Sequence, residues 1–230
     1  MLDNLPNELI GEILSPVLDI PNDMFREVSE PSPFSRPSHI SASSIVGVCK
    51  TWMNVATPLL YRVVILRSKP QAYALMNTLH KHKELGDHIK KLRVEGAYGP
   101  AMRVILHAAQ NITDLCLSLD TRFSDEVNGL CSSLTSINPC CVVILAPTEL
   151  RIDGPLPELV ATLKVCLESW TNLVSPLFFE RDGNLNNPCS SLGRGICFAV
   201  CHMVNSSLYP CDRGIDQRSK SPHYYVFCSL

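Results

Sequence analysis

The sequence predicts an α+β fold, in which a small helical unit is followed by a short array of strand–helix units and an irregular C-terminal tail. Three observations lead to this prediction. In residues 1–62, apolar residues recur at the 3.6-residue spacing of helices. In residues 63–180, short strand-like stretches alternate with amphipathic helices. In residues 181–230, apolar fragments are broken by proline and no period is sustained, which predicts an irregular or disordered tail.

The composition is that of a globular protein with little net charge. The chain has 230 residues, of which 46% are hydrophobic and 18% are charged, and its formal net charge is -2. This is too apolar for intrinsic disorder, and the length suits one large domain or two small ones. Binding to nucleic acid or to an anionic membrane needs a clustered excess of Lys and Arg, so neither partner is expected.

No sequence signal for a membrane or for export is evident. The longest apolar runs are interrupted by proline or histidine well short of the roughly 20 residues that a membrane-spanning helix needs. The first residues, Met1 to Pro6, lack the basic flank and apolar stretch of a secretory signal. We therefore expect a cytosolic or nuclear protein whose 11 cysteines are mostly reduced and serve as small buried hydrophobic residues.

The first predicted helix covers residues 6 to about 14. Its apolar positions follow the helical period: Leu5, Leu9, Ile10, Ile13, Leu14 and Val17. Pro6 suits the first turn of a helix, and Pro16 is expected to help end it. Residues 19–42 carry several prolines among serines and charged residues, a composition that buries little. We predict an exposed loop insertion there.

A second helix is expected to begin at Ser43 or Ser44, either of which can act as an N-cap. Its apolar positions also follow the helical period: Ile45, Val48, Cys49, Trp52, Val55 and Ala56. The dipeptide Thr57-Pro58 has the form of a new N-cap and a first-turn proline. A short third helix is therefore predicted before the β-branched strand at residues 63–66.

Strand–helix units follow this strand. Ser68 is the expected N-cap of a helix whose apolar face ends before a stop at Gly86. The pattern Ile89-x-x-Leu92-x-Val94 then recurs, 23 residues later, as Ile112-x-x-Leu115-x-Leu117, with a helix-like segment between the two copies. A strand-plus-helix unit of roughly 20–29 residues is typical of leucine-rich repeats.

Further along, the pattern is less regular. Residues 142–145 or 150–152 are candidates for another strand, and a well-patterned helix is expected to start near Asp153 and Pro155 and to run to Trp170. Residues 173–179 are predicted to form one more strand.

Two N-terminal clusters together closely resemble an F-box. The first is Leu5-Pro6-x-Glu8-Leu9-Ile10-x-x-Ile13-Leu14, and the second is Val48-Cys49-Lys50-x-Trp52-x-x-Val55-Ala56-x-Pro58-x-Leu60-Tyr61. Residues 67–119 resemble the leucine-rich-repeat-like region of fungal, mushroom-type F-box proteins. The resemblance implies an F-box at residues 1–62 with a loop insertion at 19–42, a leucine-rich-repeat-like region at 63–180 and the tail at 181–230.

The F-box resemblance implies a partner, the Skp-type adaptor that joins F-box proteins to a cullin ubiquitin ligase. The motif transfers adaptor contact to seven residues: Leu5, Pro6, Leu9, Ile13, Leu14, Val48 and Trp52. Independently, a helical unit this small cannot bury all its large apolar side chains, so an apolar patch should remain for a partner. Trp52 is the best candidate for a dominant contact, because buried tryptophans often dominate interfaces. The alternative is that all seven residues are core residues.

The resemblance therefore implies a non-catalytic substrate receptor of an SCF-type ubiquitin ligase, with an unidentified target protein held by the repeat-like region. No residue is predicted to bind the target. The alternative is a scaffold, or a truncated F-box relative outside any ligase. The aperiodic, cysteine-rich tail motivates that alternative.

The remaining chemistry of the chain predicts no metal, cofactor or catalytic residue. The tail offers possible zinc ligands at Cys189, Cys197, Cys201, His202 and Cys211, but without a Cys-x-x-Cys pair a small metal-binding protein is the weaker alternative. A Cys-His hydrolase would need one of 11 thiols to meet one of 7 histidines, and no pair is singled out. Gly-x-Ser-x-Gly, phosphate-loop and His-Glu-x-x-His motifs are absent from the sequence, so we expect no enzyme activity.

Overall fold

The predicted mixture of helices and strands is present in the computed structural model, and the strands form one sheet. The structure describes residues 5–27, 32–35, 42–120, 126–146, 154–180 and 225–226. The described helices are α1 Asn7–Leu18, α2 Asn22–Arg26, α3 Ala42–Val46, α4 Lys50–Arg62, α5 Lys69–Lys81, α6 Pro100–Ala108, α7 Asn128–Cys131 and α8 Leu156–Ser169. The described strands are β1 Val63–Leu66, β2 Lys91–Val94, β3 Asp114–Ser118, β4 Cys141–Ala146, β5 Ser175–Glu180 and β6 Tyr225–Val226. Short 3-10 helices lie at Pro33–Ser35, Lys83–His88 and Leu134–Ser136.

The strands lie side by side in the order in which they occur in the chain. Strands β1 to β5 are parallel, and β6 pairs antiparallel with β5. In the register, Leu92 lies between Val64 and Leu115, and Leu115 is paired in turn with Val142. Each parallel connection contains a helix, because parallel neighbours need a long crossover.

The helices of these crossovers cover one face of the sheet. Alternate strand residues point to opposite faces, and Leu92, Leu115 and Val142 belong to the large core cluster. The same cluster contains buried residues of α5, α6, α7 and α8. The strand residues that alternate with these, such as Cys116 and Val143, belong to a separate cluster on the other face of the sheet.

Backbone and asparagine hydrogen bonds join successive connections just before each strand. The amides of Thr113 and Asp114 both donate to the carbonyl of Lys90, and those of Cys140 and Cys141 both donate to Thr113. Asn111 Nδ2 donates to the carbonyl of Asp87, 24 residues earlier. Successive strand–helix units are thus held in register by main-chain contacts as well as by the core.

The helical unit consists of α1, α3 and α4, and its limits differ from the prediction in three places. Helix α1 continues through Pro16 to Leu18. Proline has no amide hydrogen, so the carbonyl of Glu12 loses its helical hydrogen bond. Glu12 and Pro16 are both exposed, so water can bond to that carbonyl instead. The predicted second helix is broken at residues 47–49, where Cys49 has an extended backbone. The predicted third helix is instead the second half of α4, which contains Pro58.

The core of the helical unit is small. Ile10, Leu14 and Ala56 are buried in it, and Leu5 and Trp52 pack partly buried against them. Helix α4 ends at Arg62 and β1 begins at the next residue, so the unit is joined to the sheet without a linker.

Gly86 does not end α5, which stops at Lys81. Gly86 lies in the following 3-10 helix, where a Cβ would be 2.3 Å from the carbonyl oxygen of Ala108 at the end of α6. The glycine is needed for this close approach of two successive connections.

The exposed loop predicted at 19–42 is exposed at several of its described positions, but it is not a loop throughout and not everywhere exposed. It contains α2 and a 3-10 helix, and Phe25 is completely buried against the sheet. The composition missed this because the partners of Phe25 lie in strands far along the chain. Of the later elements, the helix from 156 to 169 and the strands at 141–146 and 175–180 are present as expected, whereas residues 150–152 and the tail cysteines lie outside the described residues.

Candidate protein-interaction surfaces

Large apolar side chains are exposed in a row along α1. Leu9, Ile13 and Val17 are spaced four residues apart, so they lie on one face of the helix. Their side chains are 47%, 53% and 49% exposed, respectively. Val48 and Met53, elsewhere in the same helical unit, are also exposed. We call these five residues the apolar stripe.

The structure separates the seven residues of the motif into three groups. Pro6, Leu9, Ile13 and Val48 are exposed; Leu5 and Trp52 are partly buried against the core of the helical unit; Leu14 is only 2% exposed. Of the first group, Leu9, Ile13 and Val48 belong to the apolar stripe, so a partner that binds the stripe would touch them directly. Leu14 belongs to the buried core of the helical unit, together with Ile10 and Ala56.

Val17 and Met53 are part of the stripe but were not among the motif residues. The spacing of Val17 from Ile13 was a usable signal, but Pro16 suggested that the helix had ended before Val17. Because α1 continues to Leu18, the apolar face extends one turn further than predicted.

A second candidate surface is the sheet face opposite the helices, where residues 20–27 and 32–35 lie. We call these residues the cross-sheet segment. Phe25 of this segment belongs to the cluster on that face, whose other buried members are Val63, Cys116, Val143 and Leu145. An aromatic side chain thus occupies the apolar centre of the sheet face.

Arg93 on β2 holds the main chain of the cross-sheet segment. Its side chain is completely buried, and Nη1 donates hydrogen bonds of 2.8 Å to the carbonyls of both Phe25 and Glu27. Nε donates to Glu95 at 2.8 Å, and the Phe34 ring centroid lies 5.2 Å from the guanidinium carbon. A buried arginine needs such acceptors and an opposite charge, because an unpaired buried charge is costly.

Polar contacts surround this centre. Ser32 donates to Glu95 at 2.7 Å, and Arg67 Nη1 donates to the carbonyl of Phe34 at 2.6 Å. At the beginning of the strands, Arg26 forms an ion pair of 3.2 Å with Asp114. The segment is therefore fixed by one aromatic anchor and by several contacts to arginine and acidic side chains.

Three buried arginine nitrogens at this contact, Arg26 Nε, Arg67 Nε and Arg93 Nη2, have no hydrogen-bond acceptor among the described residues. All three are shielded from solvent. Buried polar groups are normally paired, so the described residues of the cross-sheet segment do not satisfy the whole bonding capacity of this face.

Three described thiols are shifted toward the protonated form. Burial raises the pKa of Cys166 to about 11, with the neighbouring Cys131 adding to the effect. Burial likewise raises the pKa of Cys131 and of Cys141, although Arg26 acts in the opposite direction on Cys141. A thiol with a raised pKa is a weak nucleophile near neutral pH, because the thiolate is the reactive form.

Among the described residues, no group of three or more His, Cys, Asp or Glu side chains is arranged to hold a metal ion. None of the described helices has the length and apolar character needed to cross a membrane. Comparison of the chain with models of protein families, with curated proteins and with solved structures gave no match.

Proposed function

We propose that this chain is a non-catalytic substrate receptor of an SCF-type ubiquitin ligase in the cytoplasm or nucleus. The helical unit, an F-box by resemblance, binds a Skp-type adaptor and, through it, a cullin. The region from residue 63 to about residue 180, leucine-rich-repeat-like by resemblance, binds a target protein. Ubiquitin transfer then gains from the raised effective concentration of the target near the conjugating enzyme.

The observation that carries this proposal is the apolar stripe. It lies on the same helical unit that contains both motif clusters, and it includes three of the residues to which the motif assigns adaptor contact, namely Leu9, Ile13 and Val48. Leu9, Ile13 and Val17 are exposed side by side on α1, and clustered exposed apolar side chains are typical of protein–protein contact sites. Trp52, another residue to which the motif assigns adaptor contact, packs partly buried against the core of the same helical unit.

The proposed role of the second region is supported by the arrangement of its strands. Parallel strands in chain order, with all their crossover helices in one core cluster, form an array of stacked strand–helix units. Such arrays give an extended surface for binding another protein.

The test is adaptor binding by the purified intact chain and by a variant with Leu9→Asp and Ile13→Asp. Both side chains are about half exposed, so the charges should leave the fold intact while removing apolar contact area. We expect at least a ~30-fold loss of affinity, the size of a lost hot spot. Calorimetry with a recombinant Skp-type adaptor measures it.

The matched control is Val165→Asp, which places the same charge at an exposed apolar position on α8, outside the helical unit. It should bind the adaptor as the wild type does. If the folded wild-type chain shows no adaptor binding, the ligase role is wrong. Adaptor binding without recruitment of a cullin would instead favour the scaffold function.

A further inference from the structure

We propose that the cross-sheet segment is an internal ligand, which occupies the target-binding face of the sheet and is displaced when a target binds. The displacing segment would supply an aromatic ring for the Phe25 position and oxygen acceptors for Arg93 and Arg67. This inference rests on the proposed function, since it concerns how the same sheet region receives its target.

The contacts of the segment resemble those of a bound peptide. The segment adds no strand to the sheet within its described residues, and its only α-helix, α2, is five residues long. It is held by one buried aromatic side chain and by arginine donors that bind its main-chain carbonyls. Main-chain recognition of this kind accepts other sequences that present an aromatic anchor at the same place.

The match between segment and face is incomplete. Arg93 Nη2 and Arg26 Nε have no acceptor among the described residues although both are buried. Arg67 and Arg93 both pair with Glu95, whereas Arg26 of the segment pairs with Asp114. A target segment that presents one more oxygen acceptor would satisfy a donor that the described residues of the internal ligand leave unpaired, which favours exchange.

The covalent connection between the segment and α1 explains why the segment covers this sheet face in the absence of a target. The segment follows α1 directly, so the chain holds it near the sheet at an effective concentration on the order of millimolar. A separate peptide of the same sequence should therefore compete poorly with the intact segment. It should bind once the internal anchor is removed.

The first experiment uses a fluorescent synthetic peptide of residues 19–36 and the full-length chain. The chain with Phe25→Ala should bind the peptide at least about tenfold more tightly than the wild type does, as measured by anisotropy, because the internal competitor is weakened. Met24→Ala is the matched control, since Met24 is the exposed neighbour of Phe25, and it should behave as wild type. A peptide carrying Phe25→Ala should not bind. Equal affinity of all three chains for the peptide would overturn the inference.

The second experiment needs no variant. Cys116 lies beneath the segment and Cys166 lies in the core on the helix side; both are completely buried. If the segment detaches without global unfolding, alkylation of Cys116 in the native wild-type chain should be at least about tenfold faster than that of Cys166, after normalisation to the unfolded chain. Equal normalised alkylation rates of Cys116 and Cys166 would show that the segment does not detach before the protein unfolds. Neither readout involves the adaptor, so failure of adaptor binding and failure of displacement are distinguishable.

Discussion

Arg93 and Phe25 are 68 residues apart in sequence, and Arg93 Nη1 donates a 2.8 Å hydrogen bond to the Phe25 carbonyl. This bond joins the segment that follows α1 to the second strand of the sheet. The same nitrogen also bonds the carbonyl of Glu27, so the guanidinium clamps a short stretch of main chain. The helical unit and the sheet are therefore connected on the sheet face as well as through the direct junction of α4 and β1.

Replacing Arg93 with Leu should destabilise the protein. The substitution leaves the carbonyls of Phe25 and Glu27 without their donor and removes one partner of Glu95, which is itself 11% exposed. Breaking a buried charge pair on one side costs about 3–5 kcal/mol, and we expect a loss near the lower end because Glu95 keeps its ion pair with Arg67. Urea unfolding followed by circular dichroism measures the change.

Arg103→Leu is the matched control for this prediction. Arg103 is exposed on α6, so the same substitution there should change the free energy of unfolding by no more than about 0.5 kcal/mol. If the two variants unfold at the same urea concentration, the hydrogen bonds of Arg93 to the carbonyls of Phe25 and Glu27 contribute nothing to stability.

The regular part of the sheet was predictable because its residues repeat. Ile89 and Ile112 set a spacing of 23 residues, and the structure pairs Leu92 with Leu115 in adjacent strands as that spacing requires. The next pair, Leu115 and Val142, is 27 residues apart, so the crossover between β3 and β4 is longer. The longer crossover explains why the repeat faded in the sequence although the array continues.

The cross-sheet segment could not be predicted from local pattern. Phe25 and its neighbour Met24 lie in a stretch rich in proline and polar residues, and no period marks Phe25 as buried. The only hint was Arg93 itself, a charged residue between the two core residues Leu92 and Val94 of a short strand. Strand alternation implies that such a residue points to the face opposite the core. Nothing in the sequence indicated that this face was covered.

Val17→Asp should weaken adaptor binding, because the apolar stripe extends beyond the motif to Val17. Val17 is one helical turn beyond Ile13 on the same face of α1. We expect a loss of affinity of about tenfold, smaller than for the central pair, since contacts at the rim of an interface contribute less. Calorimetry with the Skp-type adaptor measures the change.

Val174→Asp serves as its control. Val174 is 79% exposed just before β5, outside the helical unit, so the same charge there should leave adaptor affinity unchanged. Wild-type affinity of the Val17 variant would confine the interface to the first two turns of α1.

Two glycine-to-alanine substitutions should have opposite effects. Gly86→Ala places a Cβ 2.3 Å from the carbonyl oxygen of Ala108, so α6 must move and we expect a loss of about 2 kcal/mol. Gly11 lies within α1, where an added Cβ meets only Val55 at 3.8 Å, an ordinary contact. Gly11→Ala should therefore stabilise the protein by about 0.5–1 kcal/mol, because alanine is the better helix former. The unfolding temperature should be lower than that of the wild type for Gly86→Ala and higher for Gly11→Ala. A shift in the same direction for both variants would contradict the packing described at one of the two glycines.

The Cys166 thiol should make stability fall at alkaline pH. Burial raises its pKa to about 11 in the folded protein, above the ordinary value of 9.0. Between these values the unfolded chain has lost the proton that the folded chain keeps, so the free energy of unfolding decreases as pH rises, by at most about 1.4 kcal/mol per pH unit. Urea unfolding at about pH 8 and about pH 10.5 should therefore show a larger loss for the wild type than for Cys166→Val, which has no thiol to ionise. If Cys166→Val and the wild type lose the same free energy of unfolding, the pKa of Cys166 is the same in the folded and the unfolded chain.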